Sequence, residues 1–388
     1  MSIKFSRRQL LRLGGCSLLG AGASIMSSSS LWAQPIFVDK RPLNQNQKYR
    51  RRNRIFKPIL KETFYTSGRY LYNPNGSKVT LRGANLPILD DWNFPGSDKL
   101  SELEKTGANA VRIQWYKDYG NSSRPAFSIA DLDRLLTRCR DYQMIPILYL
   151  NDLTCQSDPN MLNSQLIPWW TSDAVVSVLK KHERYLIINL ANELGNYRWA
   201  SNQTIALDSF KNAYKSAIAS IRAVGLKMPI AIDAPDCGTS IEVFPIIAQE
   251  LINHDPIHNI IFSGHAYWSA YNGLPQIQAT INANIPLFFG EIANKQDEFI
   301  SGATQYCYYD MDGTSINHPT QNGFTYQSLL QLLVQQEIGW LAWSWWKDNC
   351  TARQMTTDGN FTGLTPFGED IVNNPIYGLK STAKRIAL

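Results

Sequence analysis

Short apolar runs recur along the chain from about residue 80 onward, and each is followed by a segment in which apolar residues repeat every three or four positions. The runs have the length and composition of buried strands, whereas the intervening segments have the period of amphipathic helices. This pattern predicts eight strands, at residues 80–85, 110–115, 145–150, 185–191, 229–233, 260–264, 286–290 and 339–344.

The helical period between the strands is clearest in two places. Apolar side chains form one stripe over residues 210–221 and another over residues 326–334. Ser97 is predicted to cap an earlier helix that ends at Gly107. Eight strands alternating with helices over about 300 residues are typical of a (β/α)8 TIM barrel, an α/β fold that forms a single domain. A doubly wound open sheet is the alternative, but no glycine-rich phosphate loop follows the first strand.

A β-hairpin is predicted before the first barrel strand. The strand-like segments 69–72 and 78–81 flank the turn-forming sequence Asn-Pro-Asn-Gly at residues 73–76. We expect this N-terminal hairpin to close one end of the barrel.

The N-terminal part of the chain has a different composition. Residues 1–33 begin with a twin-arginine motif at Arg7 and Arg8 and continue with small and apolar residues, which predicts export to the periplasm or the extracellular space. A membrane anchor is disfavoured because this stretch is short and rich in glycine and serine. A lipoprotein site at Cys16 is disfavoured because little apolar sequence precedes it. Residues 34–61 lack periodicity and are predicted to be a flexible basic linker before a folded domain at 62–388.

The formal net charge of +6 is unevenly distributed. Residues 1–33 carry four basic and no acidic side chains, residues 34–61 carry nine basic and one acidic, and the remainder carries 25 basic and 31 acidic. The folded part is therefore mildly acidic, and no feature of it indicates a nucleic-acid partner. The basic cluster at 48–54 is interpreted as solvated linker, with contact to anionic lipid or cell wall as the alternative. Stable membrane insertion is not expected.

Two glutamates directly follow predicted strands. Glu193 comes after the fourth strand and Glu291 after the seventh, in the positions where a barrel of parallel strands carries its catalytic side chains. Two carboxyl groups about 5 Å apart suit retaining glycoside hydrolysis, in which one protonates the leaving oxygen and the other attacks the anomeric carbon. One such residue alone is more often a surface or salt-bridged carboxylate, so the pair is what indicates a glycosidase.

Short motifs accompany these glutamates from about residue 68 to the C-terminus. They are Leu81-Arg82-Gly83-Ala84-Asn85, Ala110-Val111-Arg112-Ile113, Asn192-Glu193, His265-Ala266-Tyr267, Gly290-Glu291 and Gly339-Trp340-Leu341-Ala342-Trp343-Ser344-Trp345. Together they resemble glycoside hydrolase family 5, the cellulase and β-mannanase family. The resemblance implies a retaining hydrolase of β-1,4-linked polysaccharide, β-mannan or cellulose-type glucan. It also implies a protein that acts on polysaccharide or oligosaccharide as a monomer, without a cofactor or a metal.

The resemblance assigns roles to four residues around the scissile bond. Glu193 would be the general acid/base and Glu291 the nucleophile. Arg112 would hydrogen-bond Glu291 and keep it ionised. Asn192 would bind the 2-hydroxyl group of the sugar, a contact that strengthens in the transition state.

The resemblance extends to supporting and sugar-binding residues. His265 and Tyr267 would orient the two carboxyl groups, with an ordinary core position as the alternative for either. Trp343 would form a floor beneath the sugar, because an indole ring can cover the apolar face of a pyranose. Other tryptophans at or after strand ends are candidates for further subsites, although a single tryptophan of this kind is more often a packing residue: Trp92, Trp115, Trp199, Trp268, Trp345 and Trp346.

The chain departs from the family pattern in places. Asn151 stands after the third strand where family members commonly carry His, so it can hydrogen-bond but cannot titrate. Leu194 follows the acid/base position in place of the usual proline or tryptophan. Residues 234–238, with Cys237 where β-mannanases carry tryptophan, and residues 364–368 resemble β-mannanase segments. These segments favour mannan slightly over cellulose.

Five cysteines remain after removal of the signal segment, so at least one of them is unpaired. Cys139 lies on a helical apolar stripe and is expected to be buried. Cys307 and Cys350 fall in loops that neighbour each other in the proposed barrel, and they are the expected disulfide.

Two rival functions are open at this point. A non-catalytic carbohydrate-binding barrel is disfavoured because both carboxylates and their supporting residues occur together. A metal-dependent barrel hydrolase is disfavoured because none of the five histidines lies in an HExxH arrangement and no Asp/His cluster has the spacing of metal ligands.

Overall fold

The N-terminal sheet of the domain has three antiparallel strands, β1 (Tyr65–Ser67), β2 (Tyr70–Tyr72) and β3 (Lys78–Val79). These elements belong to the computed structural model of the chain, which describes residues 61–88, 94–117, 127–269, 272–312 and 325–388. Leu71 and Val79 share one hydrophobic cluster with Ile145, Ile187 and Phe288, which lie near the beginnings of barrel strands. The predicted hairpin is therefore confirmed, and it covers the N-terminal end of the barrel.

Eight parallel strands form a closed barrel in which sequence neighbours pair and the last strand pairs with the first. They are β4 (Arg82–Leu86), β5 (Ala110–Trp115), β6 (Ile145–Leu150), β7 (Ile187–Asn189), β8 (Ile230–Asp233), β9 (Ile260–His265), β10 (Leu287–Ile292) and β13 (Gly339–Ala342). All of their residues are buried, as expected for strands that are covered by helices on the outside and by side chains within. The predicted (β/α)8 TIM barrel is confirmed.

Helices follow the barrel strands and cover the outside of the barrel. They are α1 (Leu100–Glu104), α2 (Ile129–Asp141), α3 (Ile167–Trp170), α4 (Asp173–His182), α5 (Gln203–Ala223), α6 (Phe244–His254), α7 (Leu274–Asn282), α8 (Tyr326–Gln335), α9 (Pro366–Asn373) and α10 (Leu379–Thr382). The two predicted apolar stripes are the buried faces of α5 and α8. Within the described ranges, no helix has the length and apolar character needed to cross a membrane.

An antiparallel hairpin that was not predicted interrupts the barrel after β10. It consists of β11 (Lys295–Ile300) and β12 (Ala303–Asp310). The disulfide between Cys307 and Cys350, which confirms the expected pairing, joins this hairpin to the loop after β13 with a Cα–Cα distance of 5.2 Å. Cys139 is free and buried, also as expected.

Some predicted boundaries were wrong. The fourth barrel strand is shorter than predicted, so Glu193 lies beyond the end of β7, whereas Glu291 lies inside β10. It does so because β10 resumes pairing with β9 after a register shift, with Glu291 opposite His265. The cap predicted at Ser97 is also wrong. Lys99 is the N-cap residue of α1 and makes no side-chain cap, and the backbone N–H of Leu100 donates instead to Asp98.

Several predictions fall on parts of the chain outside the described residues. These are the signal segment at 1–33, the linker at 34–60 with its basic cluster at 48–54, and the candidate sugar-binding residue Trp92.

Candidate active site

Arg112 lies at the centre of a buried hydrogen-bond network at the C-terminal end of the barrel. It belongs to β5, and its side chain is fully buried. Its guanidinium group donates to Asn85 Oδ1 (3.0 Å), Asn189 Oδ1 (2.9 and 3.2 Å), Asn192 Oδ1 (2.7 Å), Asp233 Oδ2 (3.1 Å) and Glu291 Oε1 (2.8 Å). Burial lowers the pKa of Arg112, but the carboxylates of Asp233 and Glu291 outweigh burial and hold the pKa above its usual value. The positively charged guanidinium group of Arg112 therefore forms hydrogen bonds with residues of four other barrel strands, β4, β7, β8 and β10.

Glu291 has a hydrogen-bond donor on each carboxylate oxygen. It is 4% exposed, Arg112 donates to Oε1, and the hydroxyl of Tyr267 donates to Oε2 over 2.8 Å. Burial raises the pKa of Glu291 above its usual value, and the charge of Arg112 and the hydrogen bond from Tyr267 oppose this rise. Burial and the charge of Glu291 raise the pKa of Tyr267 well above its usual value, so its hydroxyl keeps its proton. Two donors of this kind favour the ionised form of a carboxyl group.

Glu193 has a different environment. It lies in the turn after β7 with a φ of 54°, and it is 6% exposed. Its Oε1 is 2.7 Å from Nδ1 of His265, and its Oε2 is 3.0 Å from Sγ of Cys155. Cys155 is joined to Cys237 in a second disulfide, which the sequence did not suggest, so this sulfur has no proton to donate. Glu193 therefore contacts an imidazole and an aprotic sulfur.

His265 lies between the two glutamates. Its Nδ1 is also 3.7 Å from Oε1 of Glu291, and one oxygen of each glutamate and a ring nitrogen of His265 all lie within 4.8 Å of one another. Burial and the charge of Arg112 hold the pKa of His265 well below its usual value, so the ring is neutral. The structure thus brings together the two glutamates, the arginine and the His265–Tyr267 pair that the sequence singled out.

Asp233 is a site residue that the sequence reasoning missed. It ends β8 and is fully buried. Its Oδ2 accepts hydrogen bonds from Arg112 and from the backbone N–H of Glu193 over 3.2 Å. Burial raises its pKa, and Arg112 opposes that rise. An acidic residue at the end of an apolar strand is the same signal that identified Glu193 and Glu291, so it was available in the sequence.

Asn192 connects Arg112 to the loop after the third barrel strand. Its Oδ1 accepts from Arg112, and its Nδ2 donates to Thr154 Oγ1 (3.1 Å) and to Asn151 Oδ1 (3.3 Å). Asn151 in turn donates to the hydroxyl of Tyr116 over 2.7 Å. Asn151 therefore holds a hydrogen-bonding position beside Asn192, as its neutral amide allows.

Trp343 comes directly after β13 and is half-buried. Its indole N–H donates to Oδ2 of Asp348 over 2.5 Å, and Asp348 also accepts from Arg353 over 2.7 Å. The guanidinium carbon of Arg353 lies 5.8 Å from the ring centroid of Tyr267. This series of contacts connects Trp343 to Tyr267 and so to Glu291.

Three of the tryptophans that were candidates for sugar contact are core residues instead. Trp115 is 1% exposed and packs edge-on against Phe127. Trp268 is 2% exposed, and its indole N–H donates to the backbone oxygen of Thr239. Trp345 is fully buried. Their rings are buried, so they leave almost no surface for contact with a sugar in this structure. Trp199 and Trp346 keep partly exposed rings.

The geometry of the carboxylates at this site fits hydrogen bonding better than coordination of a metal ion. Glu193, His265 and Glu291 have the mutual spacing of metal ligands, as do Cys155, Glu193 and Cys237. The oxygens of Glu291 already accept from Arg112 and Tyr267, however, and a cation beside a buried guanidinium group is electrostatically disfavoured. Cys155 and Cys237 cannot act as thiolates while they form a disulfide.

Comparisons with known proteins agree with this geometry. A mannan endo-1,4-beta-mannosidase from Cellvibrio japonicus (strain Ueda107) is 28% identical over 333 residues, which cover 84% of this chain and 69% of that relative. One from Salipaludibacillus agaradhaerens is 26% identical, with coverage of 83% and 94%. The solved mannohexaose complex of Thermomonospora fusca beta-mannanase shares the fold, with a TM-score of 0.66, 21% identity, and coverage of 83% of this chain and 98% of that one.

The family model described as cellulase (glycosyl hydrolase family 5) matches residues 72–349, which is well over half of the chain. This match agrees with the closed eight-stranded barrel and with the motifs at the ends of its strands. The chain belongs to glycosyl hydrolase family 5, and it is an O-glycosyl hydrolase.

Proposed function

We propose that this protein is an exported, retaining endo-β-1,4-mannanase in which Glu193 is the general acid/base and Glu291 is the nucleophile. The observation that carries the proposal is the proximity of the two carboxyl groups. One carboxylate oxygen of Glu193 lies within 4.8 Å of one carboxylate oxygen of Glu291. Retaining glycosidases use a carboxyl separation of about 5–5.5 Å, whereas inverting enzymes use about 6.5–9.5 Å to accommodate a water molecule.

The different surroundings of the two carboxyl groups support their different roles. Each carboxylate oxygen of Glu291 accepts a hydrogen bond, and these bonds favour the ionised form. The ionised carboxylate attacks the anomeric carbon as the bond from that carbon to the glycosidic oxygen breaks. Glu193, beside a neutral imidazole and an aprotic sulfur, is prepared to hold the proton that the leaving oxygen takes up. In the second step Glu193 takes a proton from water, the water oxygen attacks the anomeric carbon, and the bond to Glu291 breaks.

The sugar at the cleavage site would contact two further side chains. Asn192, fixed by Arg112, would bind the 2-hydroxyl group, and the half-buried ring of Trp343 would lie beneath the pyranose. Mannan is the preferred substrate class because two relatives are mannan endo-1,4-beta-mannosidases and a solved structure with this fold is a mannohexaose complex. The β-mannanase-like segments at 234–238 and 364–368 point the same way.

The experiment that tests the proposal is an activity panel with mannan, glucomannan, cellulose, mixed-linkage glucan and xylan, followed by sizing of the products. We expect highest turnover on mannan, with internal cleavage to oligosaccharides. Glu193→Gln and Glu291→Gln should each lose mannan turnover by about a thousandfold or more. Glu337→Gln is the matched control, because Glu337 is an exposed residue paired with Lys78, and it should retain normal turnover.

Three outcomes would contradict the proposal. Unchanged turnover in both Glu193→Gln and Glu291→Gln would contradict the roles of these residues as acid/base and nucleophile. Binding of mannan without turnover by the wild-type protein would favour a carbohydrate-binding barrel. Loss of activity in a chelator, with recovery on addition of a divalent ion, would favour a metal-dependent hydrolase.

A further inference from the structure

The carboxyl group of Asp348 joins the indole ring of Trp343 to the loop after β13. Both residues belong to this loop, and the Asp348 side chain is 6% exposed. Its Oδ2 accepts the hydrogen bond from the indole N–H of Trp343 over 2.5 Å. Its Oδ1 accepts from the backbone N–H of Cys350 and from Nη2 of Arg353, each over 2.7 Å. Donors therefore engage both oxygens of Asp348, and one of these donors is the ring proposed to lie beneath the sugar.

Arg353 connects Asp348 to the β11–β12 hairpin. Its side chain is 8% exposed, and its Nη2 donates to Asp348 and also, over 3.0 Å, to Oδ2 of Asp297 on β11. The other oxygen of Asp297 accepts from the backbone N–H of Cys307 on β12 over 2.9 Å. Burial lowers the pKa of Arg353, but the neighbouring acidic groups, chiefly Tyr267 and Asp348, outweigh burial and hold the pKa above its usual value. The guanidinium group therefore stays charged and ties Asp348 to the hairpin.

Further hydrogen bonds hold the backbone of this ion pair. The backbone N–H of Ser344 donates to the backbone oxygen of Arg353 over 3.2 Å. The side chain of Gln354 donates to the backbone oxygen of Asp348 over 2.8 Å. The acceptor that faces the indole N–H is therefore fixed through its own backbone as well as through its carboxyl group.

A fixed acceptor matters for a ring that binds sugar. A tryptophan side chain can rotate about two bonds, so a half-buried ring without such a contact must be ordered when the substrate binds. The cost of ordering one side chain of this kind corresponds to about a two- to tenfold loss of affinity. A ring that is already held in its binding orientation avoids this cost.

We propose that Asp348 is a positioning residue for substrate binding, which holds the indole ring of Trp343 in the orientation that receives the sugar, and that Arg353 keeps Asp348 in place. The inference rests on the proposed function, in which Trp343 lies beneath the pyranose. Because Asp348 acts through the ring and not on the reacting atoms, its loss should weaken binding and leave the chemical step largely unchanged.

Asp348→Asn tests this contact with almost no change in the shape of the side chain. The position of Oδ1 receives donors from both Cys350 and Arg353, so the amide oxygen is expected there. The amide NH2 then faces the indole N–H of Trp343, and two donors cannot bond each other. We expect KM for mannohexaose to rise about three- to tenfold, with kcat within about twofold of the wild-type value.

A double-mutant cycle measures whether Asp348 acts through the ring. Trp343→Ala removes the group that Asp348 is proposed to hold, so Asp348→Asn should raise KM no further in the Trp343→Ala background. A residue with a general structural role would instead have the same effect with or without the ring. A KM that rises by the same factor in both backgrounds would therefore overturn the inference.

Asp370→Asn is the matched control, because Asp370 is another carboxylate that accepts hydrogen bonds from aromatic side chains. It lies on α9, and its Oδ2 accepts from the hydroxyls of Tyr326 on α8 and of Tyr377 over 2.8 and 2.6 Å. This variant should lower the melting temperature and keep both KM and kcat. An equal rise of KM in Asp370→Asn and Asp348→Asn would overturn the inference, because the effect would not depend on contact with Trp343.

The remaining outcomes separate failure of the inference from failure of the proposed function. An unchanged KM in Trp343→Ala would exclude the ring from the substrate site, and the inference would fail with it. A raised KM in Trp343→Ala with an unchanged KM in Asp348→Asn would overturn the inference alone. If Asp348→Asn does not fold, Arg353→Lys replaces it, because an ammonium group cannot reproduce the planar donors that hold Asp348. KM should again rise, and an unchanged KM in folded Arg353→Lys would overturn the inference.

Discussion

Arg112 donates a hydrogen bond from Nη1 to Oε1 of Glu291 over 2.8 Å, with almost no solvent access to either side chain. In a buried pair of this kind each partner depends on the other, because removal of one leaves an uncompensated charge. The same guanidinium group reaches Asn192 and Asp233 from its Nη2 atom. One arginine therefore sets the ionisation of Glu291 and the positions of residues around Glu193.

Arg112→Lys should reduce kcat/KM on mannan by about a hundredfold or more, because an ammonium group cannot reproduce the planar set of donors that Arg112 uses. The acceptors left without a partner should also lower the melting temperature. Arg134→Lys, at an exposed arginine paired with Asp131, is the control and should change neither quantity. Wild-type kinetics in Arg112→Lys would show that the network is not needed for the reaction.

Tyr267→Phe should move the acid limb of the pH–rate profile to higher pH. The hydroxyl of Tyr267 donates to Glu291 and lowers the pKa of that carboxyl group, so its removal raises the pKa further above the usual value. Because Glu291 must be ionised to attack, activity should then be lost at a higher pH as the solution is acidified. We expect kcat near the optimum to fall about ten- to a hundredfold. An unmoved acid limb, measured on 2,4-dinitrophenyl β-mannobioside because its leaving group needs no protonation, would contradict this assignment.

Much of this site could be predicted from the sequence because parallel strands align their C-terminal ends. Glu193, Glu291 and Arg112 each lie on or just after an apolar run. Once these runs are assigned as successive barrel strands, the three residues are predicted to lie at the same end of the barrel. The local motifs also placed His265 and Tyr267 beside the glutamates.

The remaining features depend on contacts between distant segments. Trp115 and Trp268 fall at strand ends like Trp343, but rings from other parts of the chain cover them, and periodicity carries no information about that. The Cys155–Cys237 disulfide joins the loops after β6 and β8, and their proximity does not follow from the local sequence pattern. Asp233 ends an apolar strand, which is the same sequence signal that marks the two glutamates.

Trp343→Ala should weaken substrate binding. The indole ring is half-buried and held by Asp348 at its N–H, which suits it to cover one face of a sugar. Loss of an apolar contact of this size corresponds to about 1.5–3 kcal/mol, so KM for mannohexaose should rise about ten- to a hundredfold. Trp343→Phe should recover part of this loss. A KM that is unchanged in Trp343→Ala would exclude the ring from the substrate site.

Removal of the Cys307–Cys350 disulfide should lower stability without changing the chemistry. The bond closes a loop with a sequence separation of 43, for which the chain-entropy model gives about 4 kcal/mol. For a domain of this size that corresponds to a melting temperature about 6 °C lower. Calorimetry of Cys307→Ala/Cys350→Ala measures this change. An unaltered melting temperature would show that the β11–β12 hairpin is held by other contacts.

The central claim is that Glu291 attacks the anomeric carbon and Glu193 supplies the proton, which requires retention of configuration. Proton NMR of mannohexaose during the first minutes of hydrolysis measures the anomer that the enzyme releases, before mutarotation mixes the two forms. The two carboxyl groups, with oxygens within 4.8 Å of each other, predict that the β-anomer appears first. Initial release of the α-anomer would contradict the double-displacement mechanism and the role of Glu291 as nucleophile.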